Sequence, residues 1–328
     1  MNKLPKLYPL KFAPILKEKV WGGTKLPEFL GKEGGDKNKY IGESWEISDL
    51  ENGTSIVGND SFKGESLPSL INRYKGKLVG EKVYNQFGNT FPLLFKFIDA
   101  YEDLSVQVHP GDVLAKKRHN SFGKTEVWYI INAEKDARLI LGFNTQMNEA
   151  DYLKKLSEGN ISDILHSEPV EDGDAFFIAP GTIHAIGGGI LLAEIQQTSD
   201  ITYRIYDWDR PDINGEMRDL HTDLAKDAIN YLDIQPKIVY QDSANEVIPL
   251  KSLLYFETNK LNITKNFIRN LAEIDSFVVY MCTQGAATIE TEAGSESIKK
   301  GETVLIPACF TSIKIKSTSV TLLETYIP

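Results

Sequence analysis

The stretch FPLLFKFIDAYEDLSVQVHP, residues 91–110, decides how the rest of the chain is read. Its apolar, aromatic and β-branched residues predict strands. Side chains of an extended segment alternate between two faces. Leu104, Val106 and Val108 then point one way, and Ser105, Gln107 and His109 the other. An apolar face backed by a hydroxyl, an amide and an imidazole in a row calls for a polar centre on that side.

The segments that follow keep the pattern. EVWYIINAE (126–134), ARLILGF (137–143), GDAFFIAPGTIHAIGGGILLAEIQQTS (173–199) and TYRIYDWD (202–209) all read as strands. After residue 251 strand again follows strand, through SFVVYMCTQGAATIETEAG and SVTLLETYI. Many short strands joined by Gly-rich turns indicate an all-β sandwich or barrel. Helices are few. LPSLINRYKGKLVG (67–80) carries Leu67, Leu70, Ile71 and Tyr74 at helical spacing. Residues 145–166 predict a second helical segment, with Thr145 as N-cap and Asn148 completing a capping-box-like pair. HTDLAKDAINYL (221–232) predicts a third, closing the first unit before a linker around 235–250.

With 328 residues and 41% hydrophobic side chains, the chain supports two domains with substantial cores. A net charge of −10 argues against nucleic acid or an anionic membrane as partner. The first residues are interrupted by Pro5 and Pro9 and have no apolar region of a signal peptide, and no apolar run reaches membrane-span length. The two cysteines, Cys282 and Cys309, sit in apolar strand-like contexts and read as buried free thiols, which fits the cytoplasm.

Two parts of the chain resemble each other. EDGDAFFIAPGTIHAI (171–186) resembles KKGETVLIPACFTSIK (299–314), so Thr311 stands where His184 does. Matching Tyr129 to Tyr280 lays TEVWYII on SFVVYMC and sets Glu126 against Phe277. Only the first copy then carries a polar centre.

In that copy Gln107, His109, Glu126 and His184 are polar residues within apolar strands. Two His and one carboxylate bind Zn, Fe or Mn, and the Gln107 amide oxygen supplies a neutral fourth ligand. One carboxylate leaves a divalent ion with a net positive charge, still an effective Lewis acid. Each His taken singly is also compatible with a satisfied core residue; His119, His166 and His221 read as surface residues. Glu194 and Gln196 interrupt another apolar strand, and Arg204 sits between Tyr203 and Ile205. A charge in such a run is functional or paired, here as Glu194–Arg204 or Asp200–Arg204. Lys124 shares a face with Glu126, which suggests an anionic substrate or a solvated edge lysine.

Together LSVQVHP, GKTEVWYI, APGTIHAIG and EIQQTSDITYRIYDWDR, preceded by VWGG and GESWEIS, resemble the type I mannose-6-phosphate isomerases of the short bacterial form. That resemblance implies a mainly β chain of two cupin-type β-barrels (jelly rolls) with a few short helices. It implies a catalytic cupin over 1–235 and a metal-free cupin over 236–328. It implies one Zn2+ per chain, held by Gln107, His109, Glu126 and His184, and a sugar phosphate as substrate. By motif it assigns catalysis to Arg204, Glu194 and Lys124, and substrate contacts to Ser105, Lys124, Asp200 and Glu43; Trp21 is a candidate cover for the sugar. The chain departs from the longer members at Gly123, where they carry a His, and in its reduced helical insert. The competing readings are an Fe(II) cupin oxygenase, which needs open metal positions, and a non-catalytic sugar-binding cupin.

Overall fold

A computed structural model describes residues 5–33, 40–232 and 235–328. Its named strands pair antiparallel throughout, in three principal sheets. The first has seven strands in the order Ile15–Gly23, Ile41–Ile47, Leu93–Ala100, Ile190–Gln197, Glu126–Ala133, Ala175–Ile178 and Lys237–Ile238. The second has five: Tyr203–Tyr206, Val106–Val108, His184–Ile186, Arg138–Phe143 and Leu165–Pro169. The third forms a second β unit around Glu257–Ile263, Ser312–Tyr326 and Val278–Thr291. The chain is mainly β with a few short helices, as expected, and among the described residues no helix is long and apolar enough to cross a membrane.

Leu93–Ala100 and Ile190–Gln197 are buried at every position because the sheet is covered on both faces. Phe95, Phe97, Val127, Tyr129, Leu191, Ala193 and Ile195 face outward into one apolar cluster. Ile98, Trp128, Ile130, Ile190 and Leu192 face inward into another. Further along the same inward face of these strands come Lys96, Glu126, Glu194 and Gln196, so the pleat delivers four polar side chains to the barrel interior.

The outward cluster is shared with the second unit. It includes Leu10, Phe91, Phe256, Phe277, Val279, Met281, Leu305, Leu323 and Ile327. Leu10 and Leu305 exchange backbone hydrogen bonds at 2.8 and 2.9 Å, and Phe277 N donates to Val79 O at 3.1 Å. Gly80, at φ +98°, lies so close to Asp275 that a Cβ would fall 2.2 Å from its carbonyl oxygen. Phe91 and Phe277 meet with ring centroids 4.5 Å apart. Phe277→Ala is expected to cost about 3–5 kcal/mol, the usual penalty for an emptied aromatic site, read as a lowered midpoint in a urea melt.

Several local expectations are corrected. Leu104 does not share the face of Val106 and Val108: the strand begins at Val106, and Leu104 packs with the inner cluster while the two valines join Tyr203 and Ile205 on the other side. The N-cap of the second helical segment is Asn148, not Thr145, because Asn148 is extended and its Oδ1 accepts from Asp151 N at 3.0 Å. The helix runs Glu149–Ser157, followed by a 3-10 turn at Ile161–Ile164. The first helix breaks at Lys75, with φ +50°, into Leu67–Tyr74 and Gly76–Val79. The closing helix is a single turn, Thr222–Ala225. The linker contributes Lys237–Ile238 to the edge of the first sheet. Cys282 is buried, but Cys309 is exposed, because it follows Pro307 in the turn after the strand Thr303–Ile306. Helices Glu81–Phe87 and Asp112–His119 had no reading in the sequence.

Candidate metal centre and substrate site

Directly opposed residues of antiparallel strands share a face. In the five-stranded sheet, Arg204 opposes Gln107 and Gln107 opposes His184, giving one row across three strands. In the facing sheet, Trp45, Lys96, Glu194 and Trp128 form a second row. Glu126 opposes Gln196 in the next row of that sheet. His109 follows the strand Val106–Val108 and meets the same interior at the corner before Pro110.

The structure brings His109, Glu126 and His184 together, with one ligand atom from each lying within 4.8 Å of the others. His109 Nε2 is 3.6 Å from Glu126 Oε1, and His184 Nε2 is 3.9 Å from Glu126 Oε2. Each His Nδ1 lies 2.9 Å from a backbone carbonyl, of Ile201 and Thr182 respectively. Donation there assigns the proton to Nδ1 and leaves the Nε2 lone pair facing inward. The Gln107 amide sits 3.2 Å from His184 Nε2; turning the amide over presents its oxygen to the same point.

All three are at most 1% exposed. Burial, then the charge of Lys124, holds His109 well below the ordinary imidazole range. Burial holds His184 down at about 4. Both rings are therefore neutral, the form that ligates metal. Burial and the Glu194 charge push Glu126 up to about 7, against Lys124. Neither Glu126 oxygen accepts a hydrogen bond of good geometry, although Lys124 Nζ lies 2.9 Å from Oε1 and 3.2 Å from His109 Nε2. A buried carboxylate without hydrogen bonds is costly unless a cation faces it. Two neutral imidazoles, one such carboxylate and an amide fit a borderline divalent ion such as zinc.

Glu194 does not pair with Arg204. Its Oε1 accepts from Lys96 Nζ at 2.8 Å and its Oε2 from Trp128 Nε1 at 3.0 Å. Burial would raise its pKa, but Lys96 and Lys124 outweigh burial and lower it. Lys96 also donates to Gln196 Oε1 at 2.8 Å. Its burial is offset by Glu194 and Glu43, which hold it protonated. This lysine went unread in the sequence, although LLFKFID gives the signal that singled out Arg204: one charge in an apolar strand.

Arg204 instead donates from Nη1 to Asp219 O at 2.8 Å, with Asp207 Oδ2 3.9 Å from Nε. Nε itself is buried without an acceptor. Asp200, the other partner considered, is exposed on the loop before Tyr203. Glu43 accepts from Trp45 Nε1 at 2.6 Å and faces Lys19 Nζ at 3.1 Å. Burial opposes its ionisation, but Lys96 and Lys19 bring it down to about 2. Ser105 is buried just before Val106. Trp21 is 4% exposed and packs with Ile98 and Trp128 in the inner cluster, a core position. Gly123 has no room for a side chain: a Cβ there would lie 2.6 Å from Asp112 N.

The repeat takes a corrected register. Glu126 opposes Ile178 and Gln196, whereas Val278 opposes Ile306 and Tyr326. The counterpart of Glu126 is thus Val278 rather than Phe277, and that of Tyr129 is Met281 rather than Tyr280. The row Lys96, Glu194, Trp128 recurs as Asn259, Glu324, Tyr280. Glu324 is saturated by Arg269, Tyr280 and Asn259, so the second barrel keeps a carboxylate crossbar but no free ligand on it.

An antiparallel barrel with two histidines and a carboxylate converging on its inner wall defines a cupin with a candidate metal centre. Residues 9–137 match the family described as phosphomannose isomerase type I, catalytic domain, and residues 250–327 match mannose-6-phosphate isomerase, cupin domain. Mannose-6-phosphate isomerase ManA of Bacillus subtilis is 35% identical over 306 residues, covering 91% of this chain and 93% of that one. The mannose-6-phosphate isomerase of Streptococcus mutans is 33% identical over 302 residues, covering 91% and 92%. The crystal structure of the mannose 6-phosphate isomerase from Bacillus subtilis aligns with a TM-score of 0.87 at 31% identity, covering 97% of this chain and 99% of that one. The chain belongs to the type I phosphomannose isomerase family and is an isomerase.

Proposed function

We propose that this isomerase interconverts mannose 6-phosphate and fructose 6-phosphate by moving a proton between C1 and C2 through an enediol. The observation that carries the reading is the convergence of His109, Glu126 and His184 beside Gln107, with Arg204 in the same row and Lys124 against the carboxylate. We assign Gln107, His109, Glu126 and His184 as ligands of one Zn2+ per chain. When bound, zinc supplies positive charge to sugar oxygens on which negative charge builds during proton transfer.

The other roles follow from what each side chain already holds. Arg204 has an unspent buried donor at Nε and stabilises the same developing charge. Glu194 has both oxygens engaged and is held ionised, which makes it a poor proton acceptor. Its role is to fix Lys96 and Trp128, whose ring stands edge-on to His184 at 5.4 Å. Of the three side chains assigned to catalysis by motif, Arg204 meets the developing charge and Glu194 is engaged, which leaves Lys124 beside Glu126 for proton transfer. Ser105 binds the phosphate, and Glu43 and Asp200 line the approach. Residues 1–235 carry the chemistry, and 236–328 support it. We place the enzyme in the cytoplasm, which suits its two unpaired thiols.

A coupled assay following fructose 6-phosphate from mannose 6-phosphate tests the reading. Turnover should vanish in excess chelator and return on adding Zn2+. Full activity after metal removal is demonstrated would overturn the metal assignment, and no isomerisation by the zinc-loaded protein would overturn the whole.

A further inference from the structure

One side chain of the second unit reaches the segment that leads to Glu126. Tyr255 lies in the turn between Val247–Ser252 and Glu257–Ile263, and its hydroxyl donates to Asp112 Oδ2 at 2.7 Å, across 143 residues of sequence. Asp112 begins the helix Asp112–His119, three residues after His109. Its Oδ1 accepts from Gly123 N at 2.8 Å and from Gln197 Nε2 at 3.1 Å. Gln197 in turn accepts from Thr125 N at 3.0 Å, and Lys124 N donates to Pro110 O at 3.2 Å. The backbone N–H groups of Gly123, Lys124 and Thr125, the three residues before Glu126, are all held by this assembly.

That segment belongs to no helix or strand, so these bonds set its position. The absence of a side chain at Gly123 lets the backbone approach Asp112, where a Cβ would fall 2.8 Å from Oδ1. The Asp112 carboxylate, then burial, pushes the Tyr255 phenol up to about 12, so it stays a donor at neutral pH. The acceptor oxygens are divided cleanly, Oδ2 serving the second unit and Oδ1 the segment that leads to Glu126.

We infer that Tyr255 and Asp112 are positioning residues of the isomerase, through which the second unit fixes the backbone that aims Lys124 and Glu126. The inference rests on the proposed site roles of those two residues. A misplacement of about 1 Å at reacting groups costs about 100-fold in rate, so a strap of this kind acts on chemistry as well as on stability.

The experiment compares the full-length wild type with Tyr255→Phe, Asp112→Asn and the double variant, all well below their melting midpoints. Tyr255→Phe should lower kcat/KM for mannose 6-phosphate about 10-fold, a fraction of the full misplacement penalty. It should also speed loss of bound zinc to EDTA, because Glu126 is less well aimed. Asp112→Asn should do both more strongly. The double variant should be no worse than Asp112→Asn, since the two act in series. A lowered melting midpoint with wild-type kcat, KM and zinc-release rate in both single variants would reduce the strap to a fold brace and overturn the inference. Additive losses in the double variant would overturn the serial arrangement. Glu126→Gln with full activity and full zinc would instead sink the site reading itself, whatever Tyr255→Phe does.

Discussion

His184→Ala is expected to leave a folded protein that has lost its metal and its turnover together. In the proposed ligand set the ring contributes the Nε2 lone pair, and its Nδ1 is already committed to Thr182 O at 2.9 Å. No neighbouring side chain can replace it: Gln107 already lies in the same row, and Glu126 is shared with His109. Removing a supporting partner of a metal ligand lowers affinity by about 10–100-fold, and loss of the ligand itself should exceed about 100-fold. Without the ion's several kcal/mol of charge stabilisation, turnover should fall by about 1,000-fold or more. Metal content by elemental analysis after gel filtration, beside the coupled assay, reads both. Full zinc occupancy would strike His184 from the ligand set.

Arg204→Ala separates chemistry from metal binding. Arg204 lies one strand beyond Gln107 and touches none of the converging ligand atoms, holding Asp219 O and facing Asp207. Burial, then Arg218, lowers the pKa of its guanidinium from the ordinary arginine value. On the proposed function, this cation meets the negative charge that arrives with the substrate. Removing one such donor costs about 100–1,000-fold in kcat, and zinc content should not change. Loss of zinc along with activity would show that the arginine shapes the site rather than acting on the substrate.

Much of this was legible in the chain because strand alternation is a local signal. The spacing of Gln107 and His109, and the isolated charges Glu126, Glu194 and Arg204 in apolar runs, needed only a period of two. What failed to read was whatever depends on which strand lies beside which. Lys96 opposes Glu194 across 98 residues, so the sequence offered Arg204 as the partner and the sheet supplied another. The register of the repeat slipped by one because a shared tyrosine, Tyr129 with Tyr280, was a stronger textual cue than the strand pairing that places Val278 opposite Ile306. Leu104 crossed to the other face because the extended run starts two residues later than its apolar pattern suggests. Tyr255 and Asp112 carry no cue at all: each is an ordinary polar residue until the second unit is laid against the first.

The apolar wall common to the two barrels bears on how the chain reaches its final form. Once the first 235 residues leave the ribosome, the outward side of their main sheet still displays Phe91, Phe95 and Phe97. The second unit's members of the same cluster, Phe277, Val279, Met281, Leu323 and Ile327, emerge much later. A nascent chain must therefore either keep that wall shielded or delay its closure until the strand Ser312–Tyr326 is in place. During synthesis that wall is transiently exposed apolar surface, the kind of surface on which aggregation starts.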